Sequence, residues 1–258
     1  MDARELALNT SRPHPARVYD ALLGGKDHYP PDQEVAEQVP AFFRDAARQN
    51  RAFMRRAVKW LAEQGIDQYL DIGTGIPTEP NLHQVAQQVN PEARVVYVDN
   101  DPIVIRHAEA LLVSSPRGAT GYVEADVREP GTILEHAQRV LDFERPVALS
   151  LIAVLHFIVD SEKPYDLVRA YLDPLPAGSR LVLTHTSLEN YPEYQEQVSR
   201  TYSSHISTQS RTRAEVARFF AGLEFEVSSG VVTATEWHPE GRVSEPEPSA
   251  VYAGVARK

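Results

Sequence analysis

The sequence contains no cysteine, and this absence removes several kinds of chemistry. Disulfide bonds, thiolate metal sites and a cysteine nucleophile are excluded. Nine histidines are present, but none has the H-E-x-x-H or a comparable ligand spacing, so we expect no metal site. We interpret His83, His107 and His136 as surface residues. The G-x-S-x-G motif that usually accompanies Ser-His-Asp chemistry on α/β folds is absent as well.

Long apolar runs and clusters of positive charge are also missing. No apolar stretch reaches the roughly 18 residues that span a membrane, and the first 15 residues lack the apolar core of a signal peptide. Acidic residues outnumber basic ones by 36 to 26, and the basic residues form no long run. These features predict a cytoplasmic protein that neither associates with membranes nor binds nucleic acid in a general way. A small molecule is the expected partner, and the oligomeric state is left open.

The pattern of the 258 residues changes near residue 68. Residues 14–65 have a helical pattern that is interrupted at Pro40, and we expect residues 1–66 to form a helical cap. In residues 67–258, short apolar strands alternate with helical segments, which is typical of a parallel, doubly wound sheet in one integrated core. The predicted strands are 68–72, 94–98, 121–124, 146–152 and 179–184, and the predicted helices between them are 79–89, 102–113, 130–141 and 162–173.

The C-terminal part of the chain has a different pattern. Thr212-x-x-Glu215 has the form of a capping box and predicts a helix at 213–221. Two predicted strands follow, at 224–232 and 249–257, with a Pro- and Glu-rich segment between them instead of a crossover helix. Strands joined without a crossover helix favour an antiparallel pair at one edge of the sheet.

The stretch "LDIGTGIPTEP" follows the first predicted strand. In open α/β sheets ligands bind beyond the carboxyl ends of the strands, and Gly73 and Gly75 would let the backbone approach one closely. Thr78 is the expected N-cap of the next helix, with Pro80 in its first turn. Thr78 also replaces the third glycine of a dinucleotide fingerprint, and Asp71 would repel a pyrophosphate but could hold a cation. A plain turn is the alternative interpretation.

Two further acids end the next two predicted strands. In "ARVVYVDND", Asp99 has the position from which an acid accepts hydrogen bonds from both ribose hydroxyls. In "GYVEADVRE", Asp126 could accept one from an exocyclic amine such as N6 of adenine. Either acid alone is explained as well by a solvated strand end or a helix cap. Together with Asp71 they describe one ligand that has an ammonium group, a ribose and an adenine.

These motifs carry a family resemblance. The order "LDIGTG", "VVYVDNDP", "EADVRE", "LSLIAVLHF" and "LPAGSRLVLTH" is similar to that of class I S-adenosylmethionine-dependent methyltransferases. More narrowly, "ARVYDALLGGKDHY", "NRAFMRRAV" and "DIGTGIPTEPNLH" resemble the actinomycete S-adenosyl methyltransferase family, over about residues 12 to 257. Pro77 fits the G-x-G-x-P-T loop of that family. The resemblance implies a Rossmann-like, seven-stranded α/β methyltransferase sheet, mostly parallel with an antiparallel edge pair, and a helical N-terminal cap.

The resemblance also implies S-adenosyl-L-methionine as cofactor and S-adenosyl-L-homocysteine as its product. Residues 12–30 would form a lid, with Tyr19 and Tyr29 as its aromatic lining, although "LLGGKD" is explained as well by a helix stop followed by a solvated lysine. Arg51 and Arg55 would hold the methionine carboxylate or lie on a solvated helix face. The expected cofactor-binding residues are Tyr19, Gly24, Lys26, Asp71, Gly73, Thr74, Gly75, Pro77, Thr78, Asp99, Asn100, Asp126, Val127 and Ile152.

His156 follows the fourth predicted strand, where class I enzymes bring the substrate toward the methyl group. With an ordinary pKa of about 6.5 it could accept a proton as a general base, or it could only line the pocket. The expected function is transfer of a methyl group to an oxygen or nitrogen atom of a small molecule. The alternatives are a non-catalytic module that binds the cofactor or its product, aminopropyl transfer, and a nicotinamide-dependent oxidoreductase, against which Asp71 and Thr78 argue.

Overall fold

The computed structural model describes residues 10–203, 206–238 and 248–258. Within them, the strands form one eight-stranded sheet in the order β3-β2-β1-β4-β5-β8-β6, with β7 also paired to β8. The strands are β1 (Gln68–Ile72), β2 (Arg94–Asp99), β3 (Ala119–Glu124), β4 (Ala148–Ile152), β5 (Arg180–Thr186), β6 (Glu224–Phe225), β7 (Val232–Thr233) and β8 (Val251–Arg257). The first five pair in parallel, and β8 is antiparallel to β5, β6 and β7. The chain builds outward from β1 to β3 and returns at β4, so the strand order reverses between β1 and β4.

Helices cover both faces of the sheet. They are α1 (Pro15–Leu23), α2 (Pro30–Gln38), α3 (Phe42–Glu63), α4 (Leu82–Val89), α5 (Pro102–Leu111), α6 (Pro130–Ala137), α7 (Pro164–Leu172), α8 (Gln195–Ser203) and α9 (Arg213–Ala217). Successive strand residues point to opposite faces, so Tyr69 packs in the cluster with α3 and α4 while Leu70 packs in the cluster with α6 and α7. Each helix within the described residues is too short or too polar to span a lipid bilayer.

The predicted sheet is confirmed as mostly parallel with an antiparallel edge, but one predicted strand was wrong. Residues 224–232 do not form one strand: β6 and β7 are separate two-residue strands that both pair with β8. Val227 lies between them with φ +75, a conformation that interrupts extended backbone. The predicted capping box is confirmed as well, since the Thr212 side chain accepts a hydrogen bond from the backbone N–H of Glu215. The helix it opens ends at Ala217 and continues as a 3-10 turn, Arg218–Phe220.

The start of α4 differs from the prediction. Asn81, not Thr78, is the N-cap, and Gln84 Oε1 accepts from the backbone N–H of Asn81 at 2.6 Å. Because a residue that precedes proline is disfavoured in the helical conformation, Glu79 cannot belong to the helix and the cap follows Pro80. The N–H of Thr78 instead donates to Asn81 Oδ1 at 3.0 Å, which ties the end of the glycine loop to the helix cap.

The expected surface position of His83 was wrong. Its side chain is 1% exposed, and its backbone N–H and Nδ1 lie 2.8 and 2.9 Å from the hydroxyl of Tyr97. The hydroxyl of a buried tyrosine needs a hydrogen-bond partner, and His83 supplies it at the first turn of α4. His107 and His136 are half-buried.

The N-terminal helices divide into two groups. Phe53, Ala57 and Leu61 of α3, which are spaced four residues apart and so share one side of the helix, are fully buried against the sheet. In contrast, α1 and α2 pack on the beginning of α3 and on the segment after β5, in a separate apolar cluster that includes Val18 and Phe43. The division of the chain at residue 66 stays a prediction, and α3 shares its core with the sheet.

Candidate functional site

A cavity of about 360 Å³ opens at the carboxyl ends of β1, β2 and β4, where the strand order reverses. The helices α1 and α3 line its opposite side. The predicted site residues that line it are Tyr19, Asp71, Gly73, Thr74, Gly75, Asn100, Asp99, Val127, Ile152 and His156. Gly24, Lys26, Pro77, Thr78 and Asp126 are not among its lining residues. We call the part formed by Asp71, Gly73–Gly75 and Asp99 the strand-end half, and the part formed by Val18, Leu22, Phe43, Ala47 and Ile206 the helical half.

The glycine loop of the strand-end half is a tight turn that needs its glycines. Gly73 and Gly75 have φ of +77 and +69, and the N–H groups of Gly73 and Thr74 donate to the carbonyl of Val98 at 2.8 and 3.1 Å. A Cβ on Gly73 would lie 2.8 Å from the Val154 side chain, whereas a Cβ on Gly75 would meet no heavy atom within 4 Å. The backbone at Gly75 is therefore open to a ligand in the cavity.

Asp99 is fixed at the end of β2 by two backbone hydrogen bonds. One carboxylate oxygen accepts from the N–H of Gly75 and the other from the N–H of Asp101, each at 2.9 Å. The residue is 6% exposed, and burial raises the pKa of the Asp99 carboxyl. A carboxylate has about four lone-pair sites, so both oxygens keep capacity for further donors.

Asp71 is held at the end of β1. Ser150 Oγ donates to its carboxylate at 2.6 Å, and this is the one hydrogen bond to that side chain among the described residues. Burial raises the pKa of Asp71 to about 6, against the lowering effects of the Ser150 hydrogen bond and the Arg51 charge. A cationic group beside Asp71 would favour its ionised form.

Two arginines of α3 brace the loop beyond the glycines. Arg51 donates to the carbonyl oxygens of Thr78 and, at 3.1 Å, of Pro80. Arg55 is exposed and donates to the Glu79 carbonyl at 3.3 Å. Arg51 also lines the cavity, and its Nε has no hydrogen-bond partner among the described residues. Binding of a methionine carboxylate by either arginine stays a prediction.

The segment predicted as a lid contributes His14, Pro15, Ala16, Val18, Tyr19 and Leu22 to the cavity lining, but not every residue that was expected there. Tyr19 lines the cavity, and its hydroxyl donates to the carbonyl of Ala47 at 3.0 Å. Tyr29 is 37% exposed, lies 5.5 Å from the Arg17 guanidinium and does not line the cavity, so its predicted place was wrong. Gly24 ends α1 in the left-handed conformation, and Lys26 is exposed. A helix stop and a solvated lysine describe these two positions.

A buried ion network attaches α1 to the strand ends. The Arg17 side chain is 4% exposed and lies between Asp32, at 3.6 Å, and Asp101, at 3.1 Å. Asp101 caps α5 and donates its N–H to Asp99, while Asp32 accepts from the N–H groups of His14 and Tyr29. This network was not predicted, since no local pattern distinguishes Arg17 from a solvated arginine.

Asp126 occupies a different position from the other two acids. It is half-buried outside the cavity lining and accepts from Arg128 Nη1, the Arg128 N–H and Asn100 Nδ2. Burial raises its pKa, but the hydrogen bonds and charge of Arg128 outweigh it and lower the pKa of Asp126 overall. Arg128 also donates to Glu162 at 2.6 Å. Recognition of an adenine amine by Asp126 stays a prediction, and the amine would have to share oxygens that Arg128 already binds.

His156 lines the cavity on the 3-10 turn after β4. Burial and, after it, the positive charge of Arg211 lower the pKa of His156 to about 3, so the ring is neutral at neutral pH. Its Nδ1 is buried without a hydrogen-bond partner among the described residues. A neutral imidazole with so low a pKa is a weak general base, which argues against a strongly basic role.

The turn that carries His156 is fixed by a second buried arginine, which the sequence did not predict. Arg211 is 1% exposed and donates to the carbonyl oxygens of Leu155 and Ile158, at 3.1 and 2.8 Å. It also donates to His185 Nε2 at 2.8 Å, so that the Nδ1 of His185 carries the proton and donates to the Thr186 carbonyl. Residues far apart in the chain thus position the edge of the cavity.

Comparisons with known proteins agree with this geometry. The sequence model of the S-adenosyl methyltransferase family matches residues 1–258. The solved structure of a DUF574 family protein from Streptomyces avermitilis MA-4680 is 45% identical, with a TM-score of 0.91 over 97% of this chain and 99% of that one. That of a candidate methyltransferase from Thermobifida fusca YX is 40% identical, with a TM-score of 0.87 over 97% of each chain.

A more distant structure shares the fold. Magnesium protoporphyrin IX methyltransferase from Synechocystis PCC 6803, solved with bound S-adenosylhomocysteine, is 12% identical, with a TM-score of 0.57 over 99% of this chain and 97% of that one. A search of curated proteins gave no match. The resemblance that the sequence motifs carry is confirmed by the family match along the whole chain and by relatives at 45% and 40% identity. The chain belongs to the S-adenosyl methyltransferase family and has the Rossmann-like fold of its methyltransferase neighbours.

Proposed function

We propose that the cavity binds S-adenosylmethionine and that the protein transfers its methyl group to an oxygen or nitrogen atom of a small molecule. The observation that carries the proposal is the position of Asp99. It is a buried carboxylate at the end of β2, held by the N–H groups of Gly75 and Asp101 beside an open glycine turn. Acids at this place accept hydrogen bonds from ribose hydroxyls in related α/β folds.

The donor set of the strand-end half fits the chemistry of this cofactor. Asp99 would hold the ribose, and the backbone at Gly75 has the open space that a close approach needs. The Asp71 carboxylate, with one hydrogen-bond donor and a raised pKa, would hold the ammonium group, whose charge would favour the ionised acid. Arg51 lines the cavity, and its buried Nε, which has no hydrogen-bond partner among the described residues, would donate to the methionine carboxylate of the cofactor. Bound there, the cofactor supplies an electrophilic methyl group on a sulfonium.

The contribution of the chain itself is orientation and exclusion of water. The network of Arg17, Asp32 and Asp101 holds α1 over the strand ends, so that Tyr19 covers the cavity from the opposite side. Arg211 fixes the turn of His156 at the cavity edge. A closed cavity that positions an acceptor in line with the methyl group would account for most of the rate enhancement expected of such an enzyme.

The proposal is tested by thermal melting with S-adenosylmethionine, S-adenosylhomocysteine and NAD in parallel. A ligand at 100 times its dissociation constant should stabilise the fold by about 2.7 kcal/mol. We expect both adenosyl ligands to raise the melting temperature and NAD to leave it unchanged. A shift with NAD alone would contradict the proposal. The Asp99→Ala variant is the matched control, because its shift with the adenosyl ligands should be much smaller.

A further inference from the structure

The two halves of the cavity differ in chemistry. The strand-end half is polar, whereas the helical half consists of Val18, Leu22, Phe43, Ala47 and Ile206, which belong to one buried apolar cluster. Phe157 packs against the same cluster and also lines the cavity. A ligand in the helical half would therefore contact mainly aliphatic and aromatic carbon.

The charged groups that line the cavity have partners outside the helical half. Asp71 and Asp99 lie at the strand ends, and His14 Nδ1 lies 3.2 Å from Asp101. Arg51 binds the carbonyl oxygens of the loop before α4, and Arg128 binds Asp126 and Glu162. An ionic group placed in the helical half would lose its hydration without gaining a counter-ion. This half is thus suited to an uncharged ligand.

Two buried polar atoms of residues that line the cavity have no hydrogen-bond partner among the described residues. Asn50 is 2% exposed, and its Nδ2 donates to the Tyr19 hydroxyl at 2.9 Å, but its Oδ1 has no partner among the described residues. His156 Nδ1 is also buried, and it too has no hydrogen-bond partner among the described residues. Both residues line the cavity. Buried acceptors are rarely left unpaired, so Asn50 Oδ1 indicates a ligand that donates a hydrogen bond, and His156 Nδ1 is a second acceptor in the tautomer that carries its proton on Nε2.

We propose that the methyl acceptor is an uncharged aromatic molecule with a hydroxyl group, a phenol, bound in the helical half with its hydroxyl toward Asn50 and His156. This inference rests on the proposed function and narrows it to one class of acceptor. The rings of Phe43 and Phe157 suit a flat aromatic body. A phenol ionises near pH 10, as tyrosine does, and so needs a weaker base than an aliphatic alcohol. His156 does not need to ionise the free phenol, because it accepts the proton only as the oxygen gains the methyl carbon, when the hydroxyl is far more acidic.

The transfer balances with these groups alone. The phenol oxygen forms a bond to the methyl carbon, while the carbon–sulfur bond breaks and leaves its electron pair on sulfur. The hydroxyl proton becomes strongly acidic as the oxygen gains the carbon, passes to His156, and leaves to water. The products are an aryl methyl ether, a neutral thioether and one proton.

The experiment titrates three probes of one shape, 2-naphthol, 2-naphthoate and 2-naphthylmethylammonium, into the full-length protein by calorimetry. S-adenosylhomocysteine is titrated first and then kept saturating. We expect 2-naphthol to bind at least tenfold more tightly than either charged probe. With S-adenosylmethionine instead, mass spectrometry should detect 2-methoxynaphthalene. Failure of S-adenosylhomocysteine itself to bind would overturn the proposed function and this inference with it.

Two variants on α3 test whether the methyl acceptor binds in the helical half. Ala47→Phe fills the helical half and should weaken 2-naphthol binding at least tenfold without changing the affinity for S-adenosylhomocysteine. Ala52→Phe, on the same helix but outside the cavity lining, should change neither affinity. Ala47→Leu is the smaller change if Ala47→Phe does not fold. Three results with S-adenosylhomocysteine bound would overturn the phenol proposal. They are a charged probe that binds as tightly as 2-naphthol, no binding of 2-naphthol to the wild-type protein, and unchanged binding of 2-naphthol to Ala47→Phe or Ala47→Leu.

Discussion

The strand-end half and the helical half of the cavity are built on opposite principles. In the strand-end half, the backbone N–H groups of Gly75 and Asp101 fix Asp99, and the Ser150 hydroxyl fixes Asp71. In the helical half, side chains from α1, α3 and the segment after β5 meet only through tertiary packing. The first arrangement recognises polar groups at fixed places, and the second recognises size and the absence of charge. One cavity thus combines a polar site fixed by hydrogen bonds with an apolar one formed by packed side chains.

The largest change in fold stability is expected at Arg17, which attaches α1 to the strand ends. Replacing Arg17 by methionine leaves Asp32 buried without its cation and leaves Asp101 with His14 Nδ1, at 3.2 Å, as its remaining basic partner. We expect a loss of about 3–5 kcal/mol in the free energy of unfolding. Denaturant unfolding measures it. The control is Arg48→Ala, which removes an exposed pair with Asp45 and should cost no more than about 0.5 kcal/mol. Similar losses in both variants would show that the network does not attach α1.

The next effect belongs to the strand-end half. Asp99→Ala should weaken binding of S-adenosylhomocysteine by about 1.5–3 kcal/mol, the range for hydrogen bonds that involve a charged group. Calorimetry on the folded variant measures it. The helical half should be unaffected, so 2-naphthol should still bind once the variant is saturated with the cofactor product. Unchanged affinity for S-adenosylhomocysteine would remove Asp99 from the cofactor site.

Ligand binding in the strand-end half should depend on pH through Asp71. The folded pKa of Asp71, about 6, lies above its usual value, so the unfolded chain loses this proton first as pH rises. Its ionisation therefore lowers fold stability as pH rises from about 4 to 6, with no further change above that window. A bound ammonium group favours the ionised acid, and S-adenosylhomocysteine affinity should fall about tenfold, or about 1.4 kcal/mol, from pH 7 to pH 5. Asp71→Asn should bind more weakly and lose this pH dependence. A wild-type affinity that is flat over this range would contradict the role.

The smallest effect is expected at Asp126. Because Asp126 is not among the lining residues of the cavity and its carboxylate is already bound by Arg128 and Asn100, Asp126→Ala should weaken S-adenosylhomocysteine binding by less than about 1 kcal/mol. The same calorimetric titration compares it with Asp99→Ala. A loss as large as that of Asp99→Ala would instead support recognition of the adenine amine by Asp126.

The sequence predicted the strand-end half better than the helical half, for a physical reason. Buried parallel strands are short apolar runs, and the residues that follow β1 and β2 are placed by those strands, so Asp71, Gly73 and Asp99 could be located from local pattern. Arg17 and Arg211 could not, because a buried arginine has the same local pattern as a solvated one. Their partners, such as Asp101, lie far away in the chain.

Failures of local detail have the same origin. The pattern of residues 224–232 is that of one strand, yet Val227 takes a left-handed conformation and the stretch pairs with β8 as two pieces. The helix cap moved from Thr78 to Asn81 because Pro80 follows Glu79. The helix α8 was missed, since its sequence is polar and its packing against α2 is tertiary. These elements were predicted from local sequence alone, whereas their positions in the structure also depend on contacts with distant residues.

The place of β8 in the sheet has a consequence for the order of folding. Residues 251–257 lie between β5 on one side and β6 and β7 on the other, so the last strand in the sequence is interior to the sheet. While the chain is being synthesised, β5 keeps an unpaired edge until the ribosome has released these residues. Such an edge is a template for pairing with other chains. Synthesis that stalls before residue 251 should therefore yield a species that aggregates, whereas addition of β8 covers the edge of β5.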